Sequence, residues 1–324
     1  MAGLRRRQLG RRAAMAALLG ATSCHSPAGA LSRTEPLGGA VRDMALRPLG
    51  VLSINTQQLG THSLSGLHVG ADLTLTAVCD RGNWARARLV LAADGAPLRL
   101  ENPSSGPLRD PAGRSLPRGA LGDAECLAAL PDGSWLVGFE RLHRIWRYQD
   151  IDGPARPVDA PEAIRRQPYN AGLESLGVLP DGCWLMISEG HRIGMDATLR
   201  TSWIGRPGRW HRLNYRTSPG YDPSDLCPLP DGGALVLERR FHPFNGDWFS
   251  ARIKRIPPIG TAPDLLEGQL VAELAPPLPT DNWEGISAFL HDGRPLVAIV
   301  SDDNDMPFQR SLLMVLGWAD QAMG

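Results

Sequence analysis

Apolar residues in this chain gather in short unbroken runs bounded by turn residues, and no long amphipathic stretch competes with them. Ser134-Trp135-Leu136-Val137-Gly138-Phe139 and Cys183-Trp184-Leu185-Met186-Ile187 are near-continuous apolar segments, the pattern of strands buried on both faces. Pro131-Asp132-Gly133 and Pro180-Asp181-Gly182 stand just before them. A second short apolar segment precedes each of these turns, so each pair of runs reads as a β-hairpin.

This unit occurs five times. Ser65-Gly66-Leu67 leads to Cys79-Asp80-Arg81, and Glu125-Cys126-Leu127 leads to Phe139-Glu140-Arg141. Glu174-Ser175-Leu176 leads to Ser188-Glu189, and Ser224-Asp225-Leu226 leads through Pro230-Asp231-Gly232 to Leu237-Glu238-Arg239. The fifth copy runs from Glu284-Gly285-Ile286 through Asp292-Gly293 to Ser301-Asp302-Asp303. Starts are spaced by 60, 49, 50 and 60 residues, a period that signals a repeat architecture. Further strand-like segments follow the hairpins at Ala87 to Leu91, Arg144 to Tyr148, Trp210 to Tyr215, Ala251 to Ile256 and Ser311 to Leu316.

Three or four strands per repeat is the composition of a propeller blade, so the predicted fold is all-β, a β-propeller. A two-sheet sandwich is the competing arrangement, but it gives no reason for an acid at corresponding places in successive hairpins. Five repeats argue for five blades, and the loops at 101–120, 150–169 and 257–280 leave room for a sixth. The predicted organisation is an export signal over 1–30, a connector over 31–47, one propeller over 48–318 and a tail over 319–324.

A propeller brings equivalent positions of its blades into one ring. The hairpin starts give a first ring of Ser65, Glu125, Glu174, Ser224 and Glu284, and the far ends give a second ring of Asp80, Glu140, Glu189, Glu238 and Asp302. Carboxylates crowded in this way repel and raise one another's pKa unless a cation or an arginine neutralises them. The expected ligands of a divalent cation are Glu125, Glu174, Glu284, Asp80, Glu140, Glu189 and Glu238, with amide oxygens from Asn170, Asn282 and Asn304. An all-oxygen set favours Ca2+, with Mg2+ or Mn2+ as alternatives, over Zn2+. The competing expectation is that each acid bonds backbone N–H groups or pairs with a neighbouring blade's arginine.

Arg81, Arg141 and Arg239 follow acids of the second ring, and His191 stands two residues after Glu189. They are candidates for gripping a small anionic or ester substrate. No Gly-x-Ser-x-Gly elbow is present. Hydrolysis, if it occurs, would then use water activated by the cation, with Glu125, Glu174, Glu284 and Asp302 as the catalytic carboxylates.

Of the 324 residues, 43% are hydrophobic and 21% charged, ordinary values for a globular chain. The formal net charge of zero hides an asymmetry. Arg5, Arg6, Arg7, Arg11 and Arg12 sit in the first 30 residues with no acid, leaving 29 basic against 34 acidic residues beyond them. That balance excludes nucleic acid as a partner. The arginines and the short apolar run Ala13 to Ala21 form an export signal of twin-arginine or ordinary type, with cleavage expected after Ala28-Gly29-Ala30. The expected location is periplasmic or secreted. The apolar run is too short to span a bilayer. Ala21-Thr22-Ser23-Cys24 is a poor lipobox, which disfavours a lipid anchor at Cys24. Cys79, Cys126, Cys183 and Cys227 permit three disulfide pairings or none.

Several ordered motifs carry a resemblance over residues 48 to 318. They are Leu64-Ser65-Gly66-Leu67 with Asp80-Arg81-Gly82, Asp123-Ala124-Glu125, Asn170-Ala171-Gly172-Leu173-Glu174, Leu237-Glu238-Arg239, Asn282-Trp283-Glu284-Gly285-Ile286 and Ser301-Asp302-Asp303-Asn304. At these residues the chain resembles the phytase-like propeller family known as "esterase-like activity of phytase". Trp283 before the Glu and Asp305 after Asp-Asp-Asn depart mildly from the family's pattern. The resemblance implies an exported hydrolase of phosphate or carboxylate esters. A lactonase-like propeller enzyme and a non-catalytic ligand- or partner-binding propeller of the cell envelope remain the alternatives, because a shared fold does not fix a reaction.

Overall fold

In a computed structural model, which describes residues 29–38, 44–190, 194–242, 248–260, 263–306 and 308–319, the chain forms five sheets arranged as the blades of a propeller. The segments β1 (Ser32–Glu35) and β2 (Leu46–Ile54) come first in sequence but belong to the last blade. Blade one contains β3 (Leu64–Val69), β4 (Thr74–Cys79), β5 (Asn83–Leu91) and β6 (Pro97–Pro107). Blade two contains β7 (Ala124–Ala129), β8 (Trp135–Phe139), β9 (Arg144–Tyr148) and β10 (Ala155–Pro157). Blade three contains β11 (Leu173–Val178), β12 (Trp184–Ser188), β13 (Leu199–Arg206) and β14 (Arg209–Arg216). Blade four is built from β15 (Asp222–Pro228), β16 (Ala234–Phe241) and β17 (Phe249–Ile256). The next strand, β18 (Leu265–Glu267), crosses back to pair in parallel with β14, and β19 (Gln269–Leu274) completes blade four.

Blade five consists of β20 (Asn282–His291), β21 (Arg294–Asp302) and β22 (Leu312–Trp318), then β2 and β1 at its outer edge. The β2–β22 ladder, with Val51 opposite Met314, joins the two ends of the propeller. Ser32–Glu35, within the span expected to be a connector, is thus the outermost strand of the closing blade. There are five blades, and the loops that left room for a sixth contribute β10, β18, β19 and part of β6 to the outer parts of existing blades. The expected export signal, apart from its last two residues, lies outside the described residues, as do Cys24 and 320–324. No helix among the described residues is long and apolar enough to cross a membrane.

The core explains why the hairpin strands are apolar without alternation. Each sheet is sandwiched between two others, so both faces of its strands are covered. Five apolar clusters result, each shared by neighbouring blades. Val78 of blade one packs with Val137 and Phe139 of blade two, and Leu136 with Leu176 and Trp184 of blade three. Leu185 and Tyr215 meet Val236 and Ile256 of blade four, whose Leu235 and Ile253 meet Ile286 and Met314 of blade five. Ala298 and Val315 of blade five then return to Leu67 and Leu75 of blade one. Trp135 is only partly buried, packed at the edge of its cluster. Cys79, Cys126, Cys183 and Cys227 are all free thiols. Burial pushes the Cys79 thiol up to about 12, so it behaves as a small core residue.

The innermost strands approach so closely that a side chain has no room at two bulge-flanking glycines. A Cβ on Gly66 would sit 2.4 Å from the backbone nitrogen of Leu127 in the next blade, and one on Gly285 would sit 2.7 Å from the carbonyl oxygen of Ser65. Gly66→Ala is therefore expected to cost about 1–3 kcal/mol by forcing two blades apart. Chemical denaturation followed by circular dichroism measures it, and an unchanged midpoint would contradict this packing.

Candidate metal centre and active site

The first ring owes its direction to a backbone irregularity repeated in every blade. In β7 the register passes from Ala124 opposite Phe139 to Cys126 opposite Gly138, leaving Glu125 as an extra residue. Glu174, Ser224 and Glu284 are the extra residues of β11, β15 and β20. In β3 the pair Ser65-Gly66 spans the same interruption. Such a bulge takes one residue out of the strand's alternation and re-aims its side chain. Glu125, Glu174 and Glu284 line one cavity of about 390 Å3. The two serines serve the ring differently. Ser65 Oγ donates to Glu125 Oε2 at 3.2 Å across a blade boundary, and Ser224 Oγ donates to the carbonyl of Trp283 at 2.9 Å.

The second ring contains one arginine that the motif alignment placed one residue away. Asp80, Glu140, Glu189 and Asp302 line the cavity, but the equivalent position in blade four belongs to Arg239. Glu238 pairs across the hairpin with Pro223, as Phe139 pairs with Ala124, so it points into the blade. It is fully buried there, accepting from Tyr215 Oη at 2.7 Å and from the Ser218 N–H at 3.1 Å to each oxygen, with Lys254 Nζ 3.8 Å away. Glu238 is thus held within its blade and does not line the cavity. The signal was spacing: Asp80, Glu140 and Glu189 each follow their first-ring partner by fifteen residues, and fifteen after Ser224 is Arg239.

Asn170 and Asn282 also line the cavity, as does Asn304. Arg239 is the hub of one side. Its Nη2 lies 2.9 Å from Glu189 Oε1 and its Nη1 2.8 Å from Glu284 Oε1. It also donates to Asn282 Oδ1 at 2.6 Å, while Asn282 Nδ2 donates to Glu284 Oε1 at 2.7 Å. Arg141 Nε lies 2.8 Å from Asp123 Oδ2. Arg81, which does not line the cavity, sits 3.6 Å from Asp80 and 3.0 Å from Asp305. The three arginines expected to grip an anion are engaged by the protein's own acids. His191 lies outside the described residues.

Two acids were missed by the repeat analysis. Asp123, two residues before Glu125 and buried, lines the cavity; its place in the same strand was the available signal. Asp225 is fully buried and accepts the N–H groups of Leu226 at 2.8 Å and of Ile286, in blade five, at 2.9 Å. It behaves as the competing expectation has it, as an acid satisfied by backbone donors.

The sequence profile of the phytase-like family, described as "esterase-like activity of phytase", matches residues 60–305. The chain belongs to this family. Among curated proteins no sequence matches. Solved structures of similar outline include a luciferin-regenerating enzyme, 11% identical over 80% of this chain and 92% of that one, with a TM-score of 0.42. Another is the PQQ-bound aldose sugar dehydrogenase of Streptomyces coelicolor, 13% identical over 89% of this chain and 98% of that one, also at 0.42. At such scores neither likeness carries an argument about chemistry.

The electrostatics of this phytase-like cavity are lopsided. Among the described residues, eight carboxylates line it, those of Asp80, Asp123, Glu125, Glu140, Glu174, Glu189, Glu284 and Asp302, against the two guanidinium groups of Arg141 and Arg239. Burial, reinforced by neighbouring acids, pushes Glu125 and Glu174 well above the ordinary carboxylate range. Burial raises Glu284 to about 8 despite Arg239, and Asp123 and Asp302 to about 7. Arg239 is half-buried, and desolvation opposes its charge, yet the surrounding Glu284 and Glu189 hold its pKa raised.

Two overlapping triads of acids form, Asp123/Glu125/Glu140 and Glu140/Glu174/Glu189, in each of which one carboxylate oxygen per residue lies within 4.8 Å of the others; of their members only Glu189 is also bound by Arg239. Asp123 Oδ2 is buried and faces Arg141 Nε at 2.8 Å without an aligned hydrogen bond, which leaves it lone-pair capacity for a cation. Crowded hard oxygen donors with unsatisfied lone pairs fit a divalent cation of the Ca2+, Mg2+ or Mn2+ type.

A pH dependence follows. Asp123, Glu284 and Asp302 titrate near 4 in the unfolded chain, and burial raises them to about 7 to 8 in the folded one when no cation is bound. Between those values the folded state binds more protons, so its stability falls as pH rises. A bound cation replaces the protons, so the rise in Tm on adding Ca2+ should be larger at pH 8 than at pH 5. Scanning calorimetry at the two pH values checks this; a Ca2+ response that is absent, or larger at pH 5, would contradict it.

Proposed function

We propose that this phytase-like propeller is an exported, divalent-cation-dependent hydrolase of phosphate or carboxylate esters. The observation that carries the reading is the excess of eight carboxylates, five buried and three half-buried, over two arginines in one open cavity. A structural network would neutralise itself, as the Arg239 side nearly does. The Asp123, Glu125, Glu140 and Glu174 side does not. Those four, with Glu189 and Asn170, would hold the cation. When bound, it would supply Lewis acidity toward an ester oxygen and make water easier to deprotonate. The N-terminal arginines and short apolar run support export.

The remaining residues supply positioning and proton transfer. Arg239 and Asn282 fix Glu284 Oε1 in place, and the Asn304 N–H fixes Asp302 Oδ1 at 2.7 Å. Burial gives both acids pKa values near neutrality, where a carboxyl group can both accept and donate a proton. In the overall reaction water adds its oxygen to the acyl carbon or phosphorus and the ester bond to the alcohol oxygen breaks. One carboxylate takes a proton from the water, and one carboxyl returns a proton to the departing alcohol oxygen.

Turnover of 4-nitrophenyl acetate and 4-nitrophenyl phosphate before and after EDTA, then with Ca2+, Mg2+ or Mn2+ restored, tests this reading. Activity should vanish with EDTA and return with a cation. Glu174→Gln should lower kcat/KM by roughly 100-fold or more. Turnover that survives EDTA would overturn the cation requirement, and no turnover of either ester would overturn the hydrolase reading.

A further inference from the structure

Beside the acidic cavity the same rim carries a cluster of exposed aromatic side chains. Phe241, Trp248 and Phe308 are 53%, 45% and 60% exposed, unusual for residues of this size. They are not scattered. Trp248 lies 6.2 Å from Phe241 and 5.3 Å from Phe308 between ring centroids, and Phe241 lies 5.1 Å from the buried Phe249. Trp248, Phe249 and Phe308 line a cleft of about 540 Å3 whose floor also includes Gln309 and Arg310. Phe249 and Gln309 line the acidic cavity as well, so the two spaces adjoin, and Phe241 stands on the acidic side.

We infer that this aromatic cleft is a substrate subsite that holds an aryl or similarly flat apolar group of an ester whose reacting bond lies at the acidic cavity. The inference rests on the hydrolase reading for its substrate and adds the chemistry of the part that does not react. A contiguous exposed apolar patch beside a polar cavity marks a ligand groove, and ring edges and faces set at these distances can receive another ring in offset or edge-on contact. Charge narrows the occupant further. A polyphosphorylated substrate would meet a cavity dominated by carboxylates, with Arg81, Arg141 and Arg239 already engaged. The cleft's own charges, those of Arg310 and Asp281, stand 3.6 Å apart and offset each other, so the cleft itself favours neither sign. An uncharged aromatic ester suits both spaces.

Binding and kinetics measured side by side test the subsite independently of turnover. The uncleavable ether 2-methoxynaphthalene is titrated by calorimetry into the wild type, Trp248→Ala, Phe308→Leu and Glu174→Gln. KM is then compared for 2-naphthyl acetate and ethyl acetate. Trp248→Ala and Phe308→Leu should each weaken ether binding and raise KM for the naphthyl ester by about 3- to 10-fold, with KM for ethyl acetate unchanged. Glu174→Gln should leave ether binding intact. Ether affinity that ignores both aromatic substitutions, or equal KM values for the two esters in the wild type, would overturn the subsite while leaving the hydrolase reading standing. Ether binding that depends on Trp248 in a protein without esterase turnover would sink that reading instead and leave an aromatic ligand site. Dimerisation lost in Trp248→Ala would assign the cleft to a second copy of the chain and overturn the inference.

Discussion

The crowding of carboxylates, five of them buried, in one cavity is the constraint on which the rest of this molecule turns. Closing the ring brings the inner strands of blades one, two and five to backbone distance, which is why Gly66 and Gly285 are needed there. The same closure delivers the bulged residue of each strand to a common centre. Where that residue is Ser, as at Ser65 and Ser224, it is absorbed by a local hydrogen bond. Where it is Glu, in three blades out of five, charge accumulates, and the second ring and Asp123 add to it.

The protein relieves that charge unevenly. Arg239 replaces an acid in blade four and, with Asn282, binds Glu189 and Glu284 into a satisfied group. Across the cavity, Glu125 and Glu174 each meet Glu140; Arg141 faces Asp123, and Arg239 acts on Glu125 and Glu174 only from a distance. The arrangement sets a side able to take a cation against a side whose acids are held in fixed positions, with Glu189 shared between them. An active site that both binds a cation and moves protons needs both kinds of carboxylate, and environment alone sets them apart.

Much of this was legible in the sequence, and the failures have physical causes. Turn chemistry and apolar runs located the hairpins, because Asp-Gly turns in four of the five and doubly buried strands leave strong local signals, and the recurring acids Glu125, Glu174 and Glu284 pointed to one ring. The outer strands were harder. Ala155–Pro157 and Leu265–Glu267 are three residues long and lie in Pro-rich or Gly-rich surroundings, so only pairing with a finished blade defines them. The ends of the chain gave no local sign that β1 and β2 would close the last blade, since that depends on a ladder between residues more than 250 positions apart. Glu238 was misplaced because an acid was sought where constant spacing from the bulge puts Arg239. A shift of one residue in a strand moves a side chain to the opposite face. The engagement of Arg81, Arg141 and Arg239 by acids of the same cavity is a three-dimensional fact that adjacency in sequence does not contain.

Metal content tests the central claim most directly. The protein, purified without chelator and dialysed against micromolar Ca2+, is measured by elemental analysis beside the Glu125→Gln/Glu174→Gln double variant, whose fold is verified by circular dichroism. The account predicts one divalent cation per wild-type chain and its loss from the double variant. A wild type that holds no cation, or a double variant that holds as much as the wild type, would contradict it.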